Sequence, residues 1–191
     1  MNEAFRICLA QNLIYRGSYL VHWSPALGSA LSDIEVDHVE IPPGKTYLEL
    51  PTGKALVGQM YDIEYKVVGS DSESVIVSTT RPETIIGDVA VAVHPEDSRY
   101  TDLINRGVYL KTPLREDPIP LVCDRLAVDP TKGTGALKIT PSHDPKDFEV
   151  GIRLSLPSLT IIDERGFMTF PQNDHSKLTS EGKDIVVTCS K

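Results

Sequence analysis

The sequence predicts an α+β fold that is mainly β: a closed or nearly closed barrel with a few peripheral helices. Three observations lead there. Short runs rich in Val, Ile, Thr and Tyr recur between residues 61 and 140, separated by turn residues. Helix signals are confined to three stretches. Hydrophobic residues make up 40 % of the 191, enough for a packed core. Many short strands with few helices point to a barrel.

The elements follow in order. Residues 2–12 read as a helix, with Asn2 as a capping residue and Ala4, Phe5, Cys8 and Leu9 on one face. Residues 20–24 are extended and aromatic. The turn-rich IPPGKTYLELPTGK at 41–54 reads as a connector. YDIEYKVV at 61–68 alternates as a half-exposed strand does, and 75–79 and 90–93 read as buried strands. HPEDSRYTDLI puts Pro95 at a helix start with acids in the first turn, which predicts a short helix. Strand candidates lie at 107–112, 118–122 and 134–140. The clearest helix start is PSHDPKDFEVGIRLSL, with Asp144 at the N-cap, Pro145 first and Asp147 third in the helix. Residues 159–169 read as strand, turn, strand. This divides the chain into an N-terminal helix and stem (1–50), a core (51–169) and a polar tail (170–191).

The bulk numbers exclude several functions. A net charge of −8 argues against a domain that grips nucleic acid unaided, because phosphate contacts need local Lys and Arg. It leaves room for one that receives only the end of a nucleic acid. Cys8, Cys123 and Cys189 are far apart and form no C-x-x-C pair. Neither a disulfide framework nor a cysteine zinc site is expected, and reduced intracellular thiols are the simpler reading. No apolar run reaches membrane-spanning length, and no secretory signal is expected.

Two segments carry candidate chemistry. In GTGALKITPSHDPKD at 133–147, Lys138 and Thr140 point to one face of a strand, and Leu137 and Ile139 to the other. Asp144 and Asp147, three apart, are neighbours on the next helix. A cation, a hydroxyl and two carboxylates would share a small volume. The bland alternative makes Asp144 only a cap, Asp147 only a favourable charge at a helix start, and His143 structural or simply exposed. GTGALK lacks the phosphate-loop spacing. In STTRPET at 78–84, Thr79 ends a strand, Arg81 is held extended by the following proline, and Thr84 follows the turn. Two polar strand ends in one chain suggest a shared cleft.

TTRPET, then GDVAVAVHPEDSRY, then GTGALKITPSHDPKDFEVG resembles the editing insertion of valyl-tRNA synthetases, and the likeness covers roughly residues 13–169. Isoleucyl relatives typically show T-x-P-W-T at the first motif and glycine after the histidine of the second. Leucyl relatives typically read T-R-P-D-T and lack the K-x-T. Here Glu83, Lys138, Thr140 and Asp144 side with the valyl branch. The chain departs from the family in three ways. Ser24 and Leu27 stand where some valyl enzymes carry a C-x-x-C zinc knuckle. H-I-G-H and K-M-S-K-S are absent. The tail after about 170 does not resemble the family's return to its catalytic domain.

The resemblance implies the barrel-like editing-domain fold shared by the valyl, isoleucyl and leucyl enzymes. It implies hydrolysis of threonine wrongly esterified to the 3′ end of tRNA(Val), since a valine pocket rejects its near-isostere threonine poorly. Asp147 would bind the substrate ammonium, Asp144 and Thr140 would read its hydroxyl, and Lys138 would steady the substrate or developing negative charge at the ester carbonyl. Thr79, Thr80, Arg81 and Thr84 would form the opposite wall and hold the terminal adenosine, with Glu83 on a ribose hydroxyl. No metal and no cofactor is implied, ATP serving only a synthetic site that this chain lacks. Expected partners are the threonylated tRNA end and the rest of a synthetase, with no membrane, as a monomer in the cytoplasm or mitochondrion. The contrasting expectation is a silent truncated fragment that serves as a binding module.

Overall fold

The structure, a computed structural model, describes residues 2–15, 17–41, 47–50 and 53–170. Apart from residue 170, the tail lies outside them, as do parts of the connector at 42–46 and 51–52.

The stem opens with helix α1 (Asn2–Ala10), which buries none of its residues. Two antiparallel hairpins follow: β1 (His22–Ser24) with β2 (Ser29–Leu31), and β3 (Tyr47–Leu50) with β4 (Gly53–Leu56). The second is a correction to the connector reading, because YLEL and GKAL pair across the turn-rich centre. The remaining elements are β5 (Tyr61–Val67), β6 (Ser74–Thr79), β7 (Ala90–Val93), α2 (Thr101–Arg106), β8 (Tyr109–Lys111), β9 (Pro118–Cys123), β10 (Ala136–Ile139) and α3 (Pro145–Leu154).

Six of these strands form one sheet in the order β10-β7-β9-β8-β5-β6. The β7–β9 pair is parallel and every other pair is antiparallel. The two terminal strands, β6 and β10, lie against each other, so the sheet curls into a nearly closed barrel. Period-2 alternation decides which side chains go in. Tyr65 and Val67 of β5, Val75 and Val77 of β6, Val91 and Val93 of β7, and Leu110 and Ile119 fill one buried cluster with Ala136. The alternate residues of β7, Ala90 and Ala92, join Ile139 in a second cluster capped by Val150 of α3. β7 is buried on both faces, which is why its run AVAV does not alternate in polarity.

Two local readings shift. The helix expected at Pro95 begins at Thr101 instead. Arg99 folds back onto Asp97 through several hydrogen bonds, and this holds the intervening residues in turns. Residues 159–169 form a turn closed by a single bridge, Ile162 to Met168, not two strands.

Candidate active site

One cleft of about 340 Å³ opens where the ends of β6 and β10 meet the start of α3. The first polar segment forms one wall. Thr79 closes β6, its hydroxyl accepts from the Arg81 amide at 3.1 Å, and Pro82 opens a short 3-10 turn to Gly87. Within that turn Thr84 donates to the Arg81 carbonyl at 3.0 Å. Thr79 and Thr84 are buried, whereas Thr80 and Arg81 are exposed at the rim. Arg81 also reaches the His143 carbonyl at 3.4 Å, which links the two walls.

The second wall grows from β10 into α3. Lys138 follows the inward parity of Ala136, so its ammonium sits in the barrel interior, where a lone charge is costly. Asp88, fully buried just before β7, supplies the counter-charge. Lys138 Nζ lies 3.1 Å from Asp88 Oδ1 and 2.5 Å from Thr140 Oγ1. Thr140 Oγ1 donates to the same Asp88 oxygen at 3.1 Å, and the Tyr65 hydroxyl donates to the other at 2.5 Å. Burial pushes the Asp88 carboxyl upward, and Lys138, Tyr65 and Thr140 oppose it. Burial beside Asp88 raises the Tyr65 hydroxyl.

Asp147 sits in the first turn of α3, buried at 6 % exposure. One oxygen accepts from the Thr140 amide at 2.8 Å. Burial pushes its carboxyl up to about 6, the Thr140 bond opposes this, and the neighbouring Asp144 adds to it. Asp144 is the N-cap: Oδ1 accepts from the amides of Lys146 at 2.8 Å and Asp147 at 3.3 Å. The capping role therefore occupies one of its oxygens, while the residue still lines the cleft. His143 is structural. Its Nε2 accepts from the Ile161 amide at 3.0 Å, and burial, aided by Lys138 and Arg81, lowers its proton affinity.

The cleft thus gathers Thr79, Thr80, Arg81, Thr84, Lys138, Thr140, Asp144 and Asp147. Glu83, half-buried in the 3-10 turn, is not among its lining residues. Sequence reasoning missed Asp88 and Tyr65, and also Lys146 at the rim. A signal for Asp88 was present: a lone carboxylate in IIGDVAVAV and a lone cation in GALKIT are each too costly to bury unpaired. Among the described residues, no group of three His, Cys, Asp or Glu side chains is placed to hold a metal ion. No described helix is long and apolar enough to cross a membrane.

A small polar cleft with a buried carboxylate among its lining residues thus lies at the seam of a nearly closed barrel. Sequence comparison supplies the family: the chain belongs to the class I tRNA synthetases (I, L, M and V), whose family model matches residues 1–172. It is 46 % identical over 168 residues to a valine–tRNA ligase of Schizosaccharomyces pombe, covering 87 % of this chain and 17 % of that protein. It is 48 % identical over 171 residues to the mitochondrial valine–tRNA ligase of Homo sapiens, covering 88 % and 16 %. The chain therefore spans less than a fifth of the length of these relatives. The matched region fits the editing insertion of the valyl enzymes. A ternary complex of Agrobacterium radiobacter K84 agnB2 LeuRS with tRNA and LeuAMS overlaps at TM-score 0.44 and 23 % identity, over 55 % of this chain and 16 % of that one.

Proposed function

We propose that this cleft hydrolyses the ester of threonine misattached to the 3′ end of tRNA(Val), as the editing part of a valine–tRNA ligase. The observation that carries the reading is Asp147. One of its oxygens is fixed by the Thr140 amide, and the carboxyl lines the cleft opposite Thr79 and Arg81. In this reading it holds the substrate's α-ammonium. Thr79, Thr80, Arg81 and Thr84 receive the terminal adenosine, while Glu83, in the same 3-10 turn as Thr84, does not line the cleft.

In the reaction, water oxygen attacks the ester carbonyl carbon, the bond to the ribose 3′ oxygen breaks, and that oxygen takes a proton. His143 is a poor general base, because its Nε2 is already an acceptor. Orientation of water against an activated ester then carries the rate. Asp88 balances the Lys138 ammonium, so what that ammonium offers a substrate is a directed hydrogen bond more than a free positive field.

The test is deacylation of threonyl-tRNA(Val) and valyl-tRNA(Val) by the purified chain and its Asp147→Ala variant. Selective loss of threonine, slowed roughly 100-fold or more by the substitution, is expected, since a charge-paired contact is removed. A folded chain with no turnover would favour the silent-module alternative.

A further inference from the structure

Asp88 is fully buried and touches no part of the cleft's opening, yet three donors converge on it. A carboxylate only accepts hydrogen bonds, so its bond to Thr140 Oγ1 must use the threonine proton. An ammonium only donates, so the 2.5 Å contact from Lys138 must use a Thr140 lone pair. The Thr140 hydroxyl therefore has its rotor fixed and one lone pair left over. Lys138 spends one N–H on Asp88 and one on Thr140, and keeps a third. Both residues line the cleft.

We infer that Asp88 is a positioning residue for substrate discrimination: it locks Thr140 as an acceptor and Lys138 as an adjacent donor, a pair matched to one aliphatic hydroxyl. A hydroxyl both donates and accepts, so threonine satisfies both groups. A valine methyl group satisfies neither and leaves one lone pair of Thr140 and one N–H of Lys138 without a partner. Without Asp88, the Thr140 rotor is free to turn its proton toward the ligand, and the site loses its preference. This inference rests on the editing function proposed above and assigns the selectivity of that same site to a residue outside it.

The experiment uses non-hydrolysable 3′-amide analogues of threonyl- and valyl-adenosine and reads the ratio of their dissociation constants. The native chain is expected to favour the threonyl analogue by about tenfold or more, the weight of one hydroxyl's hydrogen bonds. Thr140→Val and Asp88→Ala should each bring the ratio close to one, and their combination should lower it no further. Asp88→Asn keeps an acceptor oxygen and should recover part of the preference. If Asp88→Ala does not fold, Asp88→Ala with Lys138→Met removes both members of the buried ion pair and should also bind both analogues alike. A folded Asp88→Ala chain, or that double variant, with the native ratio would overturn the role of Asp88 alone. So would an equal weakening of both analogues, which is the mark of a merely structural residue. A native chain that binds neither analogue would sink the editing reading and this inference with it.

Discussion

Asp147→Asn should stabilise the protein while disabling the cleft. The carboxyl is buried and raised from an ordinary 3.8 to about 6. Each tenfold change in proton affinity corresponds to ~1.4 kcal/mol, so keeping Asp147 ionised at neutral pH costs the fold about 3 kcal/mol. Asn is nearly isosteric, and its amide oxygen can still accept from Thr140. It forgoes the charge at the start of α3, a loss of ~0.3–1 kcal/mol. The expected net gain at pH 7.5 is therefore about 2 kcal/mol, read as a higher urea midpoint with an unchanged slope. The pH dependence fixes the cause. A raised folded-state pKa contributes stability that is fully present below about 3.8 and lost as pH rises through about 6. The advantage of Asn should thus vanish near pH 4 and grow to its full size above pH 6. A variant that is less stable than the native chain at pH 7.5, or a gap that does not change with pH, would refute the reasoning.

Other outcomes follow from the same geometry. Affinity for a threonyl-adenosine amide should fall as pH drops through about 6, because the Asp147 carboxylate proposed to meet the ammonium becomes protonated. Titration calorimetry between pH 5 and 8 checks this, and a flat profile would contradict it. Gly87→Ala should destabilise by about 1–3 kcal/mol, the usual cost of overpacking. Its Cβ would lie 3.0 Å from Thr140 Cγ2 and 3.2 Å from Ile161 Cγ1. A thermal melt unchanged from the native chain would show that Thr140 has room to move.

The strand pattern was legible because burial follows alternation in β5 and β6, and because short β-branched runs fall between turn residues. The α3 start was legible for a local reason: the cap, Pro145 and the first-turn acid are all encoded within four residues. The hairpin of β3 and β4 was not, since its Pro and Gly read as breakers while its pairing is between segments. The Asp88–Lys138 bond was hidden for a similar reason. The two residues stand fifty positions apart, and only the pairing of β7 with β10 brings them together. The motif resemblance found Lys138 and Thr140 but not the carboxylate that balances Lys138.

That balance bears on how the proposed substrate is told apart from the rest of its own tRNA. Asp88 neutralises Lys138 on the floor of the cleft, so among the described residues Asp147 is the floor charge without a salt-bridge partner. The cations at the rim, Arg81 and Lys146, are exposed. An ammonium is drawn inward, whereas a phosphate meets favourable charge only at the mouth. An aminoacyl nucleotide has its ammonium at one end and its phosphate at the other, so only one orientation satisfies both. With a chain charge of −8, the remaining phosphates of a tRNA find little to hold them here. Binding to intact tRNA by this chain should accordingly be weak and only slightly dependent on salt. A steep salt dependence, corresponding to many phosphate contacts, would mean that the tRNA body is gripped by a surface other than this cleft.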